Sequence, residues 1–122
     1  MDYDPWTTLH SIPRLTLLRM PLPGRLHGVT DGRRIILADR LTEREARCAL
    51  THELVHFCWR QTTCQPAPVE REIRAVVAHL LIPEQRLHAV ACWTDCWVEA
   101  AEELSVTASV LTDRVELSCP PL

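Results

Sequence analysis

Between residues 14 and 38 the apolar positions come in short runs, at 14–20 (RLTLLRM), 26–30 and 33–38, bounded by Pro, Gly and Asp. Runs of this length and composition predict strands. Asp31-Gly32, between the last two, is a tight hairpin signal, so the three runs predict a small antiparallel sheet. From Thr42 the pattern changes. Thr42 followed three residues later by Glu45 is a capping box, and it opens a stretch without Pro or Gly to about Arg60, a long helix. Gln65-Pro66-Ala67-Pro68 breaks the chain. A second helix is then expected over 69–81, where Val69, Ile73, Val76, Val77, Leu80 and Leu81 make one apolar stripe, and Pro83 ends it. Further helices are expected over 84–91, 95–104 and 107–117, with Thr107 as an N-cap. A short N-terminal helix starting at Asp4-Pro5 must stop before Pro13, and the Cys-Pro-Pro-Leu tail is expected to fray. Strands first and helices afterwards predict an α+β fold, a small antiparallel sheet packed against a helical layer.

Composition narrows the possibilities. A chain of 122 residues suits one domain, 1–122, with one core. Its 47% hydrophobic and 24% charged residues are globular and exclude the low-hydrophobicity signature of disorder. A net charge of −3, with 13 Lys and Arg scattered along the chain, gives no basic footprint, so direct nucleic-acid binding is disfavoured. No apolar run has the length of a signal peptide or a membrane span. The six cysteines (Cys48, Cys58, Cys64, Cys92, Cys96, Cys119) are therefore expected to be reduced, in a cytoplasmic protein, as small buried apolar side chains. Cys92 and Cys96 are the closest pair, and no second pair completes a four-thiolate zinc site. Trp59, Trp93 and Trp97 are expected to pack the C-terminal helices onto the core, with the lining of a substrate groove as the alternative.

Within the first long helix lies His52-Glu53-Leu54-Val55-His56. Residues i and i+4 sit one turn apart on one face, so both imidazoles can share a metal ion. Glu53 is carried round to flank the open coordination position, where it can take a proton from a bound water; zinc lowers the pKa of that water to about 7. The chemistry implied is peptide-bond hydrolysis, with one Zn2+ per chain. A zinc protease needs a third protein ligand, and the second helix offers Glu70 and Glu72. At about 100° per residue Glu70 falls within the apolar stripe, between Val77 and Leu81, whereas Glu72 falls at its edge. A carboxylate on a buried face is costly unless paired or bound to a metal, which favours Glu70. His79, His88 and Tyr3 are the side chains available to stabilise an oxyanion, and the sequence places none of them; a partly buried structural role is expected for His79.

Three segments together resemble the ImmA/IrrE metallopeptidases: 33–39 (RRIILAD) is similar to the strand before their catalytic helix, 43–57 (EREARCALTHELVHF) to that helix, and 70–83 (EREIRAVVAHLLIP) to their glutamate helix ending in Leu-Leu-Met-Pro. The resemblance implies a zincin-like fold, with zinc on His52, His56 and Glu70 and with Glu53 as base. The family's third ligand lies thirteen residues before the terminal proline, which is Glu70 here. It further implies a protein substrate, a helix-turn-helix repressor of stress, phage or mobile-element genes, so any effect on transcription would be indirect. The chain departs from the family pattern at Arg74, where Asp or Asn is usual and would suit a histidine ligand as hydrogen-bond partner. Val55 and Val76 replace the family's Gly and Phe. Arg74 leaves an alternative open, a catalytically inactive module that keeps the fold and binds a partner protein. A closed structural metal site is a third reading.

Overall fold

The computed structural model describes residues 3–62 and 65–118. Cys64 and the tail at 119–122 lie outside them. Helix α1 (Pro5–Ser11) starts where Asp4 accepts a hydrogen bond from the Trp6 backbone N–H at 3.0 Å. Strands β1 (Thr16–Met20), β2 (Gly28–Thr30) and β3 (Arg34–Ala38) follow, then α2 (Glu43–Cys58), α3 (Ala67–Leu81), α4 (Glu84–Ala91), α5 (Trp97–Leu104) and α6 (Ala108–Ser118). The fold is α+β. None of the described helices is long and apolar enough to cross a membrane.

The sheet differs from the expected one. Its order is β1-β3-β2; β2 and β3 form the antiparallel hairpin, but β1 pairs with β3 in parallel, Leu18 opposite Ile36. The connection over residues 21–27 does reverse the chain, yet it leaves a strand-wide gap into which β3 inserts. Arg40 holds this connection by donating to the backbone oxygens of Gly24 (3.0 Å) and Leu26 (3.1 Å). The central place goes to the strand with most to bury: Ile35 and Leu37 are fully buried, whereas four of the five β1 residues are exposed. Alternation along β3 aims Ile35 and Leu37 at α2.

Helix α2 is the shared wall of two apolar clusters. Ala46, Ala49, Leu50 and Leu54 meet the sheet and α1, while Cys48 and Val55 meet the layer of α3 to α6. Each fully buried Leu or Ile contributes about 1.5–3 kcal/mol, so α2 is fixed on both sides. Its start is the expected capping box, with Thr42 Oγ1 accepting from Glu45 N at 3.1 Å and Glu45 Oε1 accepting from Thr42 N at 2.9 Å. The α3 stripe faces inward as expected, with Ile73, Val77 and Leu81 buried. Thr107 caps α6 by accepting from Val110 N at 3.3 Å.

Two expectations about side chains fail. Trp59, Trp93 and Trp97 are 41%, 54% and 44% exposed and do not fill the core. Four of the cysteines are free, and of these only Cys48 is buried; Cys58, Cys92 and Cys96 are exposed. The large side chain that does fill this region is Arg114, which the apolar pattern did not reveal. It is 2% exposed and donates to Ile82 O (2.7 Å), Ser118 Oγ (2.7 Å) and Glu84 Oε2 (2.6 Å). Every donor group it buries thereby has a partner, which makes burial of the charge tolerable.

Candidate metal centre

His52 and His56 lie one turn apart in the second half of α2, and Glu70 reaches them from the first turn of α3. The packing of α3 on α2 through Val55, Ile73 and Val77 sets that approach. The two Nε2 atoms are 3.1 Å apart; Glu70 Oε2 is 3.5 Å from His52 Nε2, and Glu70 Oε1 is 3.4 Å from His56 Nε2. Metal–ligand bonds of about 2.0–2.1 Å at a tetrahedral centre put ligand atoms about 3.3–3.4 Å apart. Each carboxylate oxygen of Glu70 faces one imidazole, the ligand atoms of the three residues lie within 4.8 Å of one another, and these three residues can hold a metal ion. Glu72 is exposed and outside the group.

The electrostatics favour this donor set. Burial, and then the neighbouring His56, hold the His52 ring below the usual histidine range, which favours the neutral imidazole a metal needs. Glu53 is 7% exposed, and burial followed by the negative charge of Glu70 pushes its carboxyl up to about 7, near the working pH of a general base. It sits against β2 with no room to spare: a β-carbon on Gly28 would lie 3.1 Å from Glu53 Cγ.

Two hollows flank the centre. A cleft of about 410 Å³ runs past His52, Glu53, His56 and Glu70 along β2. A second, of about 530 Å³, opens beyond His52 and Glu53 over Cys48, Ala49, Val77 and Val110, with Arg74 and Asp113 also on its walls. Arg74 is one turn on from Glu70 and exposed, and its positive charge also bears on His52 and Asp113.

Residues 16–116 match the family described as the IrrE N-terminal-like domain, a peptidase family. The chain belongs to that family. A comparison with curated proteins found no match. The match runs from β1 to within two residues of the end of α6, so the sheet, the helical layer and both flanking hollows all lie inside this metallopeptidase-like domain.

In this IrrE-like domain, two residues at the site had gone unnoticed in the sequence. Gly28 carried a usable signal, since glycine inside a strand marks a close approach. Gln61 carried none: it stands five residues after His56, beyond the helix end, yet its Oε1 is 2.9 Å from His56 Nδ1. His79 is exposed where partial burial was expected, His88 pairs with Glu84 at 3.2 Å, and Tyr3 packs on the helical core.

Proposed function

We propose that this chain is a zinc-dependent endopeptidase. Zinc is held by His52, His56 and Glu70, and Glu53 is the catalytic base. The observation that supports this best is the convergence of three donors, the two imidazole Nε2 atoms 3.1 Å apart and each within 3.5 Å of a Glu70 carboxylate oxygen, with a buried carboxyl one residue from His52. When bound, the metal supplies Lewis-acid chemistry, making a water nucleophilic near neutral pH and polarising the scissile carbonyl. Glu53 takes the proton from the attacking water as the C–O bond forms, then passes it to the leaving amine nitrogen as the C–N bond breaks. Burial keeps its carboxyl poised for both transfers.

A protein substrate is supported by the sheet. β2 is an edge strand, and its residues line the cleft that passes the donor triangle. An extended segment can add to such an edge through backbone hydrogen bonds, which read no particular sequence. The resemblance to ImmA/IrrE proteins suggests a helix-turn-helix repressor as that substrate, in the cytoplasm, with no direct contact between this chain and nucleic acid.

Arg74 favours a second reading, a partner-binding module without activity, since the family's Asp or Asn is missing there. One comparison decides. Purified wild type and Glu53→Gln are assayed for zinc content and for cleavage of a quenched fluorescent peptide library and of a helix-turn-helix repressor. Equal zinc with cleavage only by wild type is the result expected of an enzyme. Equal zinc with no cleavage by either protein would establish the module.

A further inference from the structure

Helix α2 ends at Cys58, and the chain doubles back within three residues. Arg60 takes φ +59°, in the left-handed region that residues with a β-carbon seldom adopt. Its consequence is local and specific. The turn aims the Gln61 backbone N–H at His56 O, 2.9 Å away, and the Gln61 side chain at the ring of the same histidine, with Oε1 2.9 Å from Nδ1. Thr62 continues against the β2–β3 hairpin, where its Cγ2 would lie 3.2 Å from a β-carbon on Gly32. One residue thus grips both the backbone and the imidazole of His56.

An amide oxygen can only accept a hydrogen bond, so with Oε1 facing the ring the contact requires the tautomer in which Nδ1 of His56 carries the proton. Nε2 then presents its lone pair toward His52 and Glu70. The imidazole side chain is 9% exposed, so little water competes for Nδ1. Arg74 cannot take this part, because a guanidinium has donors and no acceptor.

We propose that Gln61 is a positioning residue of the His52–His56–Glu70 site: it fixes the tautomer and the orientation of His56 that metal binding needs. The proposal rests on reading that triad as a metal site, and it gives the chain an amide acceptor reaching the site from the end of α2, while position 74 holds a donor.

The test is zinc affinity, measured on the full chain by competition with a chromophoric chelator, for wild type and for Gln61→Leu, Gln61→Asn and Gln61→Glu. All three variants keep the backbone hydrogen bond to His56 O, so the helix end is preserved. Losing a partner of this kind weakens metal binding about 10 to 100-fold, and that loss is expected for Gln61→Leu. It is expected for Gln61→Asn too, whose oxygen is one methylene short. Gln61→Glu, which restores an acceptor at the same reach, should bind zinc at least as tightly as wild type. In the metal-free protein, nitrogen-15 spectra of the imidazoles should show His56 as the Nδ1–H tautomer in wild type and as a mixture in Gln61→Leu. Zinc affinity of Gln61→Leu within twofold of wild type would overturn the proposal. So would equal weakening in all three variants accompanied by equal losses of melting temperature, the mark of a purely structural role. A wild-type protein with no zinc affinity would overturn the metal site and this proposal together, an outcome distinct from both.

Discussion

The backbone of Gly28 lies so close to Glu53 that a β-carbon there would meet Glu53 Cγ at 3.1 Å and Leu37 Cδ2 at the same distance, with the Ile36 carbonyl oxygen at 3.3 Å. The two side-chain neighbours can shift; the backbone oxygen belongs to the central strand and cannot move without disturbing the sheet. A side chain at 28 therefore pushes on Glu53. Glu53 touches no metal ligand in this contact, so displacing it should separate catalysis from metal binding. A misplacement of about 1 Å costs about 100-fold in rate. Gly28→Val should lower kcat by about that factor while zinc content stays at the wild-type level. Gly28→Ala should fall between the two. Peptide cleavage by Gly28→Val at the wild-type rate would show that Glu53 is free to adjust, or that it is not the base.

The two glutamates of α3 give a sharper comparison. Glu70 faces both imidazoles, and Glu72 is exposed two residues further on. Elemental analysis of the purified proteins should find zinc in wild type and Glu72→Ala and little in Glu70→Ala. Binding also shifts stability: a ligand at about 100 times its Kd adds about 2.7 kcal/mol. A chelator should therefore lower the melting temperature of wild type and of Glu72→Ala, and leave that of Glu70→Ala almost unchanged.

The candidate ligands were legible in the sequence because their spacing is a property of the helix. His52 and His56 are one turn apart wherever that helix is placed, and the apolar stripe of α3 fixes the phase of Glu70 relative to Ile73 and Val77. The parallel pairing of β1 was not legible, because short runs such as 14–20 show which segments are extended and not which neighbours they take. Gln61 was hidden for a related reason: the left-handed Arg60, and no repeat, brings it back to His56. Arg114 lies at a position that a hydrophobic count reads as solvent-facing, although the chain builds three acceptors around it. The tryptophans misled in the opposite direction, since their size predicts burial and three of them stand at the surface.

Arg114 makes a testable contribution to the fold. Its Nε bonds the carbonyl of Ile82, the residue closing α3, in a buried position. Truncation to alanine removes that donor and opens a cavity beside Leu111 and Ile82. An unsatisfied buried acceptor costs about 1–3 kcal/mol, and the lost volume adds to it. Arg114→Ala should lose about 2–4 kcal/mol of stability in urea unfolding. Arg114→Met, which refills much of the space, should recover only the packing share. Equal stability of Arg114→Met and wild type would mean that the three hydrogen bonds add nothing net.

The partner of Arg114 makes the same region sensitive to acid. The hydrogen bond from Arg114 holds the Glu84 carboxyl below its ordinary value of 4.5, with the charges of Arg114 and His88 acting in the same direction. Because the pKa is lower folded than unfolded, the pair stabilises the fold at pH values above 4.5, where the unfolded chain is also ionised. That stabilisation is lost as pH falls through the folded value, where both states carry the proton. The difference in melting temperature between wild type and Glu84→Gln should therefore be positive and steady at neutral pH, and should shrink as the pH falls below 4.5 and through the lowered folded value. Salt should reduce it as well, since the Glu84 side chain is 61% exposed and the interaction is open to screening. A difference that persisted unchanged at pH 3 would assign the contribution of Glu84 to its neutral hydrogen bonds and packing, which glutamine changes too, and not to its charge.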